Sequence, residues 1–258
     1  VLLALAEQII DSFFAVIPRH KPELINRNHA KIIAHRGAHA NSQGIIENTM
    51  AAFDLAQNAG CWGIELDVQT TADGVLVVNH DATLQRLWGH DKAIKDLTFS
   101  DLRSLVPDIP ALTEVISKYR NQMHLFIELK SALKDESALM TCLQGLSPVK
   151  DFHLLSLDAC IFDALTLFPK KSLLLVAGHN NTNAFCELSI KNTFGGVLGS
   201  YLLLTEQQIN KLKNAEQAFG VGFVNSKNSL YRELNRGIDW IFTNNAVKVS
   251  HYLRHLYS

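Results

Sequence analysis

The chain has 258 residues, 47% of them hydrophobic and 19% charged, with only six prolines, so it reads as an ordinary globular protein without a disordered arm. That length is enough to bury a full core, and no low-complexity linker divides it. Lysine and arginine number 24 against 25 acidic residues, so the basic field that nucleic-acid binding needs is missing and small-molecule partners are expected.

The first stretch, VLLALAEQIIDSFFAVIPRHKP, is apolar, but Glu7 and Asp11 interrupt it and Pro18 stops it. A membrane-spanning helix needs about 20 apolar residues in a row. Glu7, Gln8, Asp11 and Ser12 fall on one side at helical spacing, which predicts an amphipathic helix closing one end of the domain. A peripheral contact with a membrane surface, or with a second copy, is the alternative use of such a helix. Residues 1–30 are therefore set apart as this helix and its lead-in, with the main domain over 31–258. The expected location is the cytoplasm, and Val1 in place of Met leaves room for an upstream signal already removed. Cys61, Cys142, Cys160 and Cys186 lie far apart, form no CxxC pair and are expected to be reduced core residues.

Strand-like apolar runs follow at 31–37, 63–69, 74–80, 124–130, 152–157, 172–178, 195–201, 219–225 and 239–244. Helical segments separate nearly all of them, at 47–60, 112–121, 135–146, 157–169, 181–192, 205–214, 228–237 and 246–257. Thr205 and Gln208 stand in capping-box register, and Gly60 and Gly237 are placed to end helices. Between the second and third runs there are only four residues, TTAD, whereas a parallel crossover needs a dozen or more. Those two runs are predicted to form a hairpin through Asp73-Gly74. Without the return arm, strand and helix alternate eight times, the pattern of a (β/α)8 barrel, in which chemistry sits at the carboxyl ends of the strands.

Those ends carry charge. The first strand delivers His35 and Arg36, the second Glu65 and Asp67, the hairpin arm His80 and Asp81, and the next strand Glu128 and Lys130. Residues two apart leave one face of a strand, so Glu65 with Asp67, and Glu128 with Lys130, point toward the barrel axis. Buried charges need partners or a metal, and three carboxylates suit a hard cation such as Mg2+ or Ca2+. Two histidines can share proton transfers, while Arg36 and Lys130 can hold a phosphate. The conjunction points to phosphoryl transfer, although each piece alone has a structural explanation: Lys130 as Glu128's partner, or Glu47 as a helix-start acid.

The segments HRGAHANSQGIIENT, IELDVQTTADGVLVVNHDATLQR and IELK, in this order and spacing, resemble the glycerophosphodiester phosphodiesterase family. The likeness runs from Ala34 to about Asn244, is densest from His35 to Arg86, and continues more weakly in LLSLD and RGIDWIFTN. It implies a TIM barrel of the phospholipase-C-like phosphodiesterase type that cleaves glycerophosphodiesters to sn-glycerol 3-phosphate and an alcohol with a divalent metal, Mg2+ or Ca2+. It further implies His35 and His80 as the acid/base pair, Arg36 on phosphate, and Glu65, Asp67 and Glu128 on the metal. Lys130 would stabilise the charged phosphorus centre, and Glu47 would belong to the site.

Two departures fall late in the chain. FVNS stands where the family commonly has WTVN, so Phe223 is expected to supply the apolar wall, and Asn244 stands where the family commonly has an acid. The nearest alternative activity is that of a lysophospholipase D acting on lysophospholipids. An inactive barrel serving as a binding module is the alternative from another class, and it conflicts with the presence of every expected acid, base and cation.

Overall fold

The computed structural model describes residue 10, residues 12–23 and residues 29–256. Eight parallel strands close on themselves: β1 (Lys31–Ala34), β2 (Gly63–Thr70), β4 (His124–Leu129), β5 (Phe152–Ser156), β6 (Leu173–Val176), β7 (Gly196–Ser200), β8 (Ala218–Gly222) and β9 (Trp240–Thr243). Pairing of β1 with both β9 and β2 completes the barrel. The ninth strand, β3 (Leu76–Val78), runs antiparallel to β2 with Val68 opposite Val78 and Thr70 opposite Leu76. This is the expected hairpin arm, turned at Gly74, whose φ of 84° suits glycine.

The predicted helices follow the strands: α1 (Met50–Asn58), α4 (Leu112–Tyr119), α5 (Glu136–Cys142), α6 (Cys160–Asp163), α7 (Thr182–Asn192), α8 (Glu206–Asn214), α9 (Lys227–Asn235) and α10 (Ala246–Arg254). Thr205 caps α8 in the expected box, and Gly60 and Gly237 adopt the left-handed conformation just past α1 and α9. The helix expected over 157–169 is reduced to one turn at α6. Between β3 and β4 the structure adds α2 (Gln85–Trp88) and α3 (Phe99–Leu105), which cover a small core of Val77, Leu84, Ile94, Leu102, Val106 and Ile109. Helices this short carry too few turns to show a periodicity in the sequence.

Inside the barrel, Ile33, Phe126, Leu155, Leu174, Leu198 and Phe242 form a closed apolar layer, so the barrel is a packed core with its opening at one end only. Cys61 and Cys186 are buried and Cys142 half-buried, all as free thiols, but Cys160 is exposed at the start of α6, which corrects its expected place in the core.

Residues 1–9 and 11 of the expected N-terminal helix, and 24–28 of its lead-in, lie outside the described residues; residues 12–16 are helical. Phe14 meets Tyr201 edge-on at 5.8 Å, Asn228 Nδ2 donates to the Ala15 carbonyl at 2.7 Å, and Asn235 Nδ2 donates to the His20 carbonyl at 3.0 Å. The segment thus runs down α9, from the mouth end of the barrel toward its floor. Among the described residues no helix is long and apolar enough to cross a membrane.

The floor is built from rings. Trp62 stacks on His124 at 4.5 Å, Lys31 Nζ lies 4.4 Å from the Trp62 ring centre, and His124 Nε2 is 2.8 Å from His153 Nδ1. Burial holds His124 down at about 4; burial, then the neighbouring His124, holds His153 at about 3. An unfolded histidine titrates near 6.5. The native rings therefore stay neutral where the unfolded ones bind protons, and the stability they confer is full above about pH 6.5 and is lost as pH falls toward 4. At the limit each ring contributes about 1.4 kcal/mol per pH unit. Denaturant unfolding from pH 7 to 5 is expected to give a flatter stability curve for His153→Leu than for the parent chain; equal slopes would remove the pair from the acid response.

Candidate active site

At the end of β1 the chain turns sharply through Arg36 and Gly37, both left-handed, with φ of 56° and 77°. A side chain on Gly37 would meet Ala52 Cβ at 2.8 Å, so glycine is what lets α1 close on the turn. The turn aims the Arg36 backbone N–H at Glu65 Oε2, 2.9 Å away. Its guanidinium reaches Glu47 Oε1 at 2.9 Å through Nη1 and lies 3.4 Å from Asp67 Oδ2 through Nε.

The register of β2 with β4 places Asp67 opposite Glu128, and alternation puts Glu65 on the same inner face. All three carboxylates are buried, with one oxygen of each within 4.8 Å of the others. Lys130 pairs with Glu128 and sits 2.7 Å from Asp67 Oδ1. Burial, then the charges of Asp67 and Glu128, push Glu65 far above the ordinary carboxylate range. Burial also raises Glu128, despite Lys130. Burial opposes the charge on Asp67 too, but Lys130 and Arg36 outweigh it and hold that carboxyl low. Glu65 Oε1 is buried without a hydrogen-bond partner. An orphaned carboxylate oxygen in a cluster of three fits a hard divalent cation, which takes oxygen donors and relieves their mutual repulsion.

His35 and His80 flank the cluster, each held by its Nδ1. His35 Nδ1 lies 2.6 Å from Asn244 Oδ1, and its Nε2 lies 3.8 Å from Glu65 Oε2. With the amide oxygen toward the ring, Nδ1 carries the proton and Nε2 is left as the acceptor. Burial, then Arg36, lowers His35 to about 4. Asn244 is itself fixed, its N–H donating to Asn225 Oδ1 at 3.2 Å. His80 Nδ1 lies 2.6 Å from Asp81 Oδ1, and Gln69 Nε2 donates to the His80 carbonyl at 3.0 Å. Asp81 pairs with Arg86, whose Nη2 reaches Glu47 Oε1 at 2.7 Å. Glu47 thus ties Arg36 to the His80 arm; burial works against its charge, but Arg86 and Arg36 hold it low.

The structure brings all the sequence-derived acids, bases and cations to one end of the barrel, and Phe223, whose ring stands 6.1 Å from His35, is exposed at the same rim. Arg36, expected on phosphate, donates from Nη1 to Glu47 while its buried Nε, 3.4 Å from Asp67 Oδ2, makes no hydrogen bond; its Nη2 makes none either among the described residues. Three contributors escaped the sequence reading. Asn48, buried with φ of 59°, donates from Nδ2 to Asp67 Oδ2 at 2.7 Å and accepts from the Asp67 N–H at 3.2 Å. Asn79 Nδ2 donates to the Asp81 carbonyl at 2.7 Å, and Arg86 links the arm to Glu47. Asn48 and Arg86 stand inside the family-like segments, but their partners are distant in sequence, so nothing local signals their roles.

An eight-stranded parallel barrel with three carboxylates, two oriented histidines and two cations at the carboxyl ends of its early strands defines a phosphodiesterase-type site. The model of the glycerophosphoryl diester phosphodiesterase family matches residues 35–150. A glycerophosphodiester phosphodiesterase of Caldanaerobacter subterraneus subsp. tengcongensis is 40% identical over 114 residues, 40% of this chain and 46% of that protein. The matched part therefore spans about half the length of that curated relative. A crystal structure of the Thermotoga maritima glycerophosphodiester phosphodiesterase is 28% identical, covers 85% of this chain and 96% of its own, and superposes with a TM-score of 0.70. An Oleispira antarctica phosphodiesterase, crystallised with its product sn-glycerol-3-phosphate, is 25% identical with a TM-score of 0.72 over 87% of this chain and 96% of its own. Over residues 35–150 the chain is similar to the glycerophosphodiester phosphodiesterase family.

Asn48 supports Asp67 from behind, so Asn48→Ala is expected to weaken divalent-cation binding by about 10- to 100-fold. Calorimetric titration of Mg2+ and Ca2+ into the parent chain and the variant checks this; equal affinities would leave Asn48 a folding residue only.

Proposed function

We propose that this chain hydrolyses glycerophosphodiesters to sn-glycerol 3-phosphate and an alcohol. The observation that carries the reading is the buried Glu65, Asp67 and Glu128 cluster, with its orphaned Glu65 oxygen, lying beside a histidine whose Nε2 is oriented as an acceptor. The product seen in the Oleispira antarctica structure supports the same substrate class. Glu65, Asp67 and Glu128 would hold Mg2+ or Ca2+, which supplies Lewis-acid neutralisation of charge on the phosphate oxygens.

In this reading one histidine accepts the proton of the glycerol 2-hydroxyl as its oxygen bonds to phosphorus. The other histidine gives a proton to the departing alcohol as its P–O bond breaks. Water then opens the cyclic phosphate with the two roles reversed. Asn244 and Asp81 keep the rings in register for these transfers by holding Nδ1, which leaves each Nε2 to exchange protons. Attack by a hydroxyl of the same molecule gains from proximity. Lys130 and the Nη2 of Arg36 offer charge to the phosphorane as it becomes more negative.

Purified protein is expected to release glycerol 3-phosphate from glycerophosphocholine with Mg2+ or Ca2+, and to stop on chelation. His35→Ala is expected to lower the rate by about 10²- to 10⁴-fold. Release that persists after chelation would remove the metal from the reading. A substrate lacking the 2-hydroxyl is expected to be inert, and undiminished turnover of it would exclude the cyclic route.

A further inference from the structure

The cavity that opens over His35, Glu65 and Glu128 has a volume of about 90 Å³, room for a handful of small groups. One side of it carries the carboxyl groups of Glu65 and Glu128 and the His35 ring. The other side, from Leu155 of β5 to Phe242 of β9, is carbon apart from Ser200, the last residue of β7. Among the side chains that line the cavity, Ser200 is therefore the polar one that neither the carboxylate cluster nor His35 accounts for.

The backbone seats that hydroxyl firmly. Ser200 lies opposite Gly222 in the register of β7 with β8, and the N–H of the next residue, Tyr201, donates to the Gly222 carbonyl at 3.3 Å. The Ser200 carbonyl accepts from the N–H groups of Leu203 and Leu204 at 3.0 and 3.1 Å, so the chain turns tightly just beyond it. Ser200 Oγ itself accepts from the Leu202 N–H at 3.3 Å. One lone pair is used in this way, while the hydroxyl hydrogen has no acceptor among the described residues. A hydroxyl held in place inside this cavity with its donor unspent is set to meet an oxygen of the substrate.

Resting on the function proposed above, we infer that Ser200 is a specificity-determining residue that donates to the oxygen on the first glycerol carbon, the carbon farthest from phosphorus. The glycerol end is common to the whole substrate class, and with three carbons it is small enough for a cavity of this size. The alcohol varies in size and needs the open side. In-line displacement sends that alcohol out on the face of phosphorus opposite the attacking 2-hydroxyl, so the glycerol end stays inside as the bond breaks. Its first carbon then lies against the β5 to β9 side, where Ser200 is the donor within the cavity. A diester whose first carbon bears no oxygen would leave the Ser200 hydroxyl covered and unpaired, which is how a polar site rejects an analogue lacking its partner.

The test uses glycerophosphocholine and 2-hydroxypropyl phosphocholine, which keeps the attacking 2-hydroxyl and carries methyl in place of the terminal hydroxymethyl group. kcat/KM is measured for both on the parent chain and on Ser200→Ala, with Mg2+ and with Ca2+. The parent chain is expected to favour glycerophosphocholine by about three- to tenfold, and Ser200→Ala is expected to lose that preference through a fall on glycerophosphocholine alone. The analogue reports any general damage that follows when the Leu202 N–H loses its acceptor. Equal turnover of the two substrates by the parent chain would overturn the inference and leave the proposed function standing. A preference that survives in Ser200→Ala, with or without equal falls on both substrates, would do the same and make Ser200 a support of the turn only. No turnover of either substrate by the parent chain with either metal would overturn the proposed function itself, and this inference with it.

Discussion

Three carboxylates buried within 4.8 Å of one another are the constraint around which this barrel mouth is organised. Their mutual repulsion, in a place with little water to screen it, is a cost that local packing does not offset. The surrounding structure answers it with Arg36 and Lys130 as fixed cations, Asn48 as a two-point brace on Asp67, and a backbone N–H aimed at Glu65. Even so, Glu65 stays disfavoured as an anion and keeps one oxygen unpaired. A site left unbalanced in this way is suited to gaining a cation.

Part of the strained backbone at the mouth follows from the same demand. Arg36, Asn48 and Phe223 are all left-handed without being glycine. At Arg36 this turns the main-chain N–H to Glu65 while the guanidinium faces Glu47 and Asp67, and at Asn48 it lets the side-chain amide brace Asp67 while the main-chain N–H donates to the Arg36 carbonyl. At Phe223 the turn places the ring edge-on to His35 and leads into the buried Val224, whose N–H donates to the Phe242 carbonyl.

The mouth divides into halves that are also halves of the sequence. Acids, bases, cations and the arm that carries His80 come from residues before β5, the part that the family model matches. The later strands contribute apolar side chains together with Asn244. Chemistry at phosphorus tolerates little change in geometry, while the pocket beyond it can vary with the group it holds. Asn244 belongs to both: it fixes the His35 tautomer without adding the negative charge an acid would bring.

Much of this was legible in the chain itself. Strand alternation put Glu65 beside Asp67 and Glu128 beside Lys130, the four-residue TTAD link required a hairpin, and eight strand-helix repeats pointed to a barrel, because each is a statement about neighbouring residues. What stayed hidden depends on residues far apart in sequence. The braces from Asn48 and Asn244, the Glu47–Arg86–Asp81 relay behind His80, the short helices of the excursion after β3 and the apolar wall exist only once strands from opposite ends of the chain are closed into a ring. The sequence determined which chemical groups reach the mouth; tertiary structure decided which of them touch, since contact across a barrel is set by register and closure and leaves no periodic trace along the chain.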